Sequence, residues 1–112
     1  MPEQTVELDL VFRALSDGTR RQVVERLVAG SASTSELKQP FAMALPSFAQ
    51  HLDVLERAGL VTSTKTGRVR TYELVPAALG VADGWLAEQR RLDQLDDLLR
   101  TLDRTSTNQE QR

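Results

Sequence analysis

Two short runs hold the side chains best suited to chemistry. Within "LPSFAQHLDVLERA", Leu45 to Ala58, a hydroxyl (Ser47), an amide (Gln50) and the chain's one imidazole (His51) fall inside five positions. Within "TSTKTGRVRTY", Thr62 to Tyr72, Lys65, Arg68 and Arg70 occur with no carboxylate among them. A Gln amide pairs bidentately with adenine, and a Ser hydroxyl donates to or accepts from base edges. Cations interleaved with Thr and Ser suit phosphate oxygens. The first run can read bases and the second can hold a nucleic-acid backbone. The formal net charge of −2 does not oppose this, because binding depends on where the charges sit.

Other chemistries have little to work with. The absence of cysteine excludes disulfides, thiolate metal sites and cysteine nucleophiles. One histidine cannot build a multi-imidazole site within one chain. The carboxylates are spaced along helices as solvated partners to basic residues, as with Asp93, Asp96 and Asp97 beside Arg90, Arg91 and Arg100. They form no catalytic grouping. The expectation is therefore a non-enzyme with no cofactor and no metal site. No apolar run approaches membrane-spanning length, and "MPEQTVELD" lacks a secretory pattern, so the cytoplasm is the expected location.

The two runs need elements to position them. Successive helical residues step by about 100°, so Leu45, Phe48, Leu52 and Leu55 form one core-facing sector. Pro46, Ser47, Gln50, Val54 and Arg57 face away, with His51 and Asp53 on the flanks. Glu36 stands three residues after Ser33, capping-box spacing for a short helix that Pro40 stops. That helix, a tight link and the Leu45–Ala58 helix make a helix-turn-helix unit. The Thr-rich run from Leu60 to Val75, with Thr66-Gly67 at its centre, reads as a β-hairpin. A basic hairpin at this place is a wing.

Further helices flank this unit. Leu8, Val11, Phe12 and Leu15 give the first helix a core stripe, and Val6, Leu10 and Ala14 a second one that something else must cover. In the second helix, Ser16 or Asp17 is the cap, Val23, Val24, Leu27 and Val28 are the buried face, and Gly30 is the stop. From Pro76 to about Asp103 a last helix places Trp85, Leu92 and Leu99 seven apart, with Leu95 and Leu102 in the companion register. The polar "RTSTNQEQR" that follows reads as a disordered tail. The expected fold is mainly α with a β-hairpin, a winged helix-turn-helix in the order helix, helix, helix, helix, hairpin, helix. Residues 1–103 form the domain and 104–112 the tail.

"ALSDGTRRQVVERL", "STSEL", "MALPSFAQHLDVLERAGLV" and "GRVRTYEL" together resemble the arsenic-repressor (ArsR) family of bacterial winged-helix transcriptional regulators, over about residues 8 to 100. The resemblance implies a homodimer that binds double-stranded DNA at an inverted repeat and represses a nearby promoter. It places base reading on Ser47, Gln50 and His51, backbone contacts on Lys65, Arg68 and Arg70, and the dimer interface on the first and last helices, with Val6, Leu10, Trp85, Leu92, Leu95 and Leu99. A flank histidine such as His51 also suits boundary packing or a phosphate contact. Metal-sensing members of the family carry a cysteine pair where this chain has Ser33 and Ser35, so the resemblance points to a branch without the known metal boxes. Gly18 and Ala44 also depart from the family pattern, each weakening a helix start. Two further functions are compatible with the fold: a protein-interaction module that does not bind DNA, and a metal-responsive repressor. The inducer, if there is one, is not legible.

Overall fold

The structure, a computed structural model, describes the backbone of residues 2–110 and the side chains of residues 7–105. Its elements are α1 (Pro2–Leu15), α2 (Gly18–Val28), β1 (Ala32–Ser33), α3 (Thr34–Lys38), α4 (Leu45–Arg57), β2 (Val61–Thr66), β3 (Val69–Leu74) and α5 (Pro76–Glu110). They divide into two compact units, residues 1–82 and 83–112.

Local chemistry sets the helix starts. Asp17 caps α2 from an extended backbone, its carboxylate accepting from the Arg20 N–H at 3.1 Å. That bond is the main cause holding the Asp17 carboxyl below its ordinary range. The helix therefore begins at Gly18. At α3 the Ser33 Oγ accepts from the Glu36 N–H at 3.2 Å, and the Glu36 carboxylate accepts from the Ser33 N–H at 3.0 Å. This is the capping box that the spacing predicts. The cap position of α4 is Ala44, with no side-chain bond.

The end of α4 is built by Gly59. At φ 77° it takes the left-handed conformation that lets Leu60 N–H reach Leu55 O and Gly59 N–H reach Glu56 O, at 3.1 and 3.0 Å. That double closure satisfies two terminal carbonyls and turns the buried Leu60 onto the buried Leu55. A Cβ at Gly59 would meet no atom within 4 Å, so a substitution there incurs only the backbone cost. Gly59→Ala is expected to lower stability by about 1–2 kcal/mol, measured as a lower urea midpoint with an unchanged slope.

The core lies between α1, α2, α3, α4 and the base of the sheet. Val11 and Ala14 meet Val23, Val24 and Leu27, Leu37, then Phe48, Leu52 and Leu55, with Leu60, Val61 and Tyr72 below. The sheet is antiparallel with strand order β1-β3-β2. Its third strand, Ala32–Ser33 paired with Tyr72 and Thr71, is not visible in the sequence, since two residues carry no periodicity.

Several sequence expectations need correcting. Val28 is exposed rather than buried, being the last residue of α2 and at the edge of its apolar sector. Ala14 belongs to the core and not to a spare stripe. Leu45 is exposed, because helical side chains lean toward the helix N-terminus and the first residue reaches past the core. Val54 packs against the core, since α4 is covered by α1, α2 and β2 together. The last helix does not stop at Asp103 but continues to Glu110. Residues 104–110 contain no Pro or Gly, and extending a formed helix is far easier than starting one.

Candidate nucleic-acid interface

Helix α4 presents its N-terminal half outward. Ser47 and Gln50 are exposed, and no hydrogen bond engages either side chain among the described residues. With Ala44 giving no cap and Pro46 having no N–H, the first turn also leaves backbone N–H groups open. The C-terminal half differs. Arg57 Nε is bonded to Asp53 Oδ2 at 2.9 Å, so its outward charges neutralise each other. The usable polar surface is the first two turns.

His51 is placed differently from its neighbours. Its side chain is only 23% exposed, and its Nδ1 lies 3.0 Å from Arg20 Nη1 and 3.7 Å from Asp17 Oδ2. The imidazole thus joins α4 to the start of α2.

The wing follows from its register. Lys65 pairs with Arg70 and Thr66 with Val69, which leaves Gly67 and Arg68 as a two-residue turn. Only Gly67 has a positive φ, 63°, the pattern of a type II′ turn with glycine first. Arg68 stands at the hairpin tip, with no hydrogen bond or ion pair among the described residues. Lys65 and Arg70 sit directly opposite on one face, a like-charge arrangement that costs stability. Arg70 is partly committed: Nη1 donates to Ser63 Oγ at 2.9 Å, and Ser63 Oγ donates to Glu56 Oε2 at 2.8 Å. It braces the wing to the end of α4 as well as adding charge.

Wing and helix-turn-helix share a cleft. Ser33, Thr34, Ser35, Leu45, Arg68, Val69 and Arg70 line a space of about 350 Å³, and Thr34 Oγ1 donates to Arg70 O at 3.5 Å. The wing tip is therefore next to the first residue of α4. Thr34 and Ser35 line this cleft, and sequence reasoning misses them. Their signal is the hydroxyl cluster "STS", the same composition as the wing.

The expected interface residues of the last helix are exposed along it. Trp85, Leu92, Leu95 and Leu99 are joined by Leu86, Leu98 and Leu102, all between 44% and 57% exposed. Leu98 widens the seam beyond the two registers read from spacing. On α1, Leu10 is half-buried against the core, and the Val6 side chain lies outside the described residues. Among the described residues no group of three or more His, Asp or Glu is placed to hold a metal ion, and no helix is long and apolar enough to cross a membrane.

A family model described as a helix-turn-helix domain matches residues 15–64, the span from the end of α1 into β2. The chain is 42% identical over 71 residues to the HTH-type transcriptional regulator Rv2034 of Mycobacterium tuberculosis, covering 63% of this chain and just under two thirds (66%) of that protein. It is 30% identical to the arsenical resistance operon repressor of Staphylococcus aureus, over 65% of this chain and 70% of that one. A crystal structure of an ArsR family transcriptional regulator superposes with a TM-score of 0.78 at 46% identity, covering 84% of this chain and 94% of the other. With a winged helix-turn-helix fold, and with similarity of that extent and identity, the chain belongs to the ArsR family of transcriptional regulators.

Proposed function

We propose that this regulator is a cytoplasmic homodimer that binds an inverted-repeat DNA operator and represses transcription from it. The observation that carries this reading is the shared cleft, which sets Arg68, unpaired among the described residues, at the wing tip beside the open first turn of α4. A duplex seated on that surface meets base-reading groups and phosphate-holding groups together. Ser47 and Gln50 are assigned to base edges. Lys65 and Arg68 are assigned to phosphates. Arg70 adds charge while bracing the wing, and Thr34 and Ser35 supply hydroxyls along the same backbone. His51 belongs to this surface through its flank position, held by Arg20.

Selection of bound fragments from source genomic DNA with the purified full chain tests the reading. The expected result is enrichment of a short inverted repeat whose half-sites are centred about 10 bp apart or a multiple of that, lying in a promoter that the protein silences in a reporter. Recovery of fragments with no shared sequence would overturn it.

A further inference from the structure

The Arg20 guanidinium joins three helices. Its Nε donates to Ala14 O at 2.8 Å and its Nη2 to Arg13 O at 3.2 Å, both at the end of α1. Its Nη1 reaches His51 Nδ1, in α4, at 3.0 Å. Its own backbone N–H is held by Asp17, the cap of α2. Carbonyls at a helix C-terminus lack the usual intrahelical donors; Arg13 O also accepts from the Ser16 N–H and Oγ, and a cation there is favourable to the helix dipole. The guanidinium is planar with its N–H groups in a fixed fork, so the two carbonyls fix its plane and the third contact fixes the imidazole.

That contact also decides where the ring carries its proton. A guanidinium only donates, so Nδ1 must accept. A neutral imidazole accepting at Nδ1 carries its hydrogen on Nε2. A ring protonated at Nδ1 would set donor against donor at 3.0 Å and would favour Asp17 Oδ2 instead, 3.7 Å away.

We propose that Arg20 is a positioning residue for DNA recognition: it locks His51 as the Nε2–H tautomer, so that the flank of α4 offers DNA a donor of fixed identity and orientation. The proposal rests on the DNA-binding reading above. A locked donor favours acceptor atoms on the DNA, and the orienting cost is met before the DNA arrives. The sequence separation of 31 between Arg20 and His51 means that the contact exists only when α2 and α4 are docked.

The chain's single histidine makes the test direct. A long-range ¹H–¹⁵N spectrum of the free full-length protein, recorded where the ring shows neutral-form shifts, is expected to give one imidazole with the Nε2–H pattern. In Arg20→Met the pattern should move toward a mixture of tautomers. Operator affinity should fall roughly tenfold or more in Arg20→Met and in His51→Phe, as for loss of a charge-assisted bond. The double variant should lose clearly less than the product of the two. An Nδ1–H ring in the wild-type protein overturns the proposal even if Arg20→Met fails to fold, and so do losses that multiply. Because the spectrum needs no DNA, failure of the tautomer and failure of the DNA reading are seen separately.

Discussion

Leu92→Asp or Leu95→Asp is expected to turn the proposed dimer into a folded monomer that no longer holds the proposed operator. Leu92, Leu95, Leu98, Leu99 and Leu102 are each about half exposed on one helix. Fully burying a leucine is worth about 1.5–3 kcal/mol, so completing the burial of each offers roughly 1 kcal/mol. Five leucines in each of two copies then provide on the order of 10 kcal/mol, against an association cost of about 4–15 kcal/mol. The margin is narrow. A carboxylate in that seam forfeits one leucine and adds a desolvation penalty of several kcal/mol, twice per dimer. The dissociation constant should rise roughly a thousandfold or more. None of these residues belongs to the hydrophobic core, so the monomer should keep its far-UV circular dichroism. Sedimentation equilibrium decides the matter, and an unchanged dimer would remove α5 from the interface.

What is legible in the sequence is what local rules govern. Ser33 and Glu36 announce their capping box because both partners lie within four residues. Gly59 and Gly67 mark a helix end and a turn because each needs a positive φ that other residues resist. The outward face of α4 follows from a constant angular step, and Ser47 and Gln50 are exposed as that step requires. The misplaced residues of α4, Leu45 and Val54, sit at a helix end and under a second packing layer, where a simple wheel has no information. The paired positions are hidden for a different reason. His51 is fixed by Arg20, and Arg70 by Ser63 and Glu56. Such contacts join elements, and spacing along one element cannot reveal them. The 33–35 hydroxyl cluster enters the site the same way, by the wing folding back over α3 through β1 and β3.

The two halves of the proposed DNA surface should separate in their response to salt. Arg68 is at the hairpin tip without an acid partner among the described residues, so its contact is expected to be with phosphate. Phosphate contacts release counterions and carry affinity on any sequence, whereas base contacts carry preference. Arg68→Ala should weaken operator and random DNA alike. It should reduce the salt slope by about one for each phosphate no longer neutralised, approaching about two in a dimer. Arg70→Ala should do something less clean, because removing it also releases Ser63 and Glu56 and loosens the wing. Gln50→Ala should cost roughly 1–3 kcal/mol on the operator and little on random DNA. Titrations on both DNAs at several salt concentrations distinguish these. If Gln50→Ala kept the sequence preference while Arg68→Ala abolished it, the roles would be reversed, and the wing tip would be reading a groove. If neither mattered, the cleft between wing and α4 would not be a DNA surface, and the fold would be serving as a protein-interaction module.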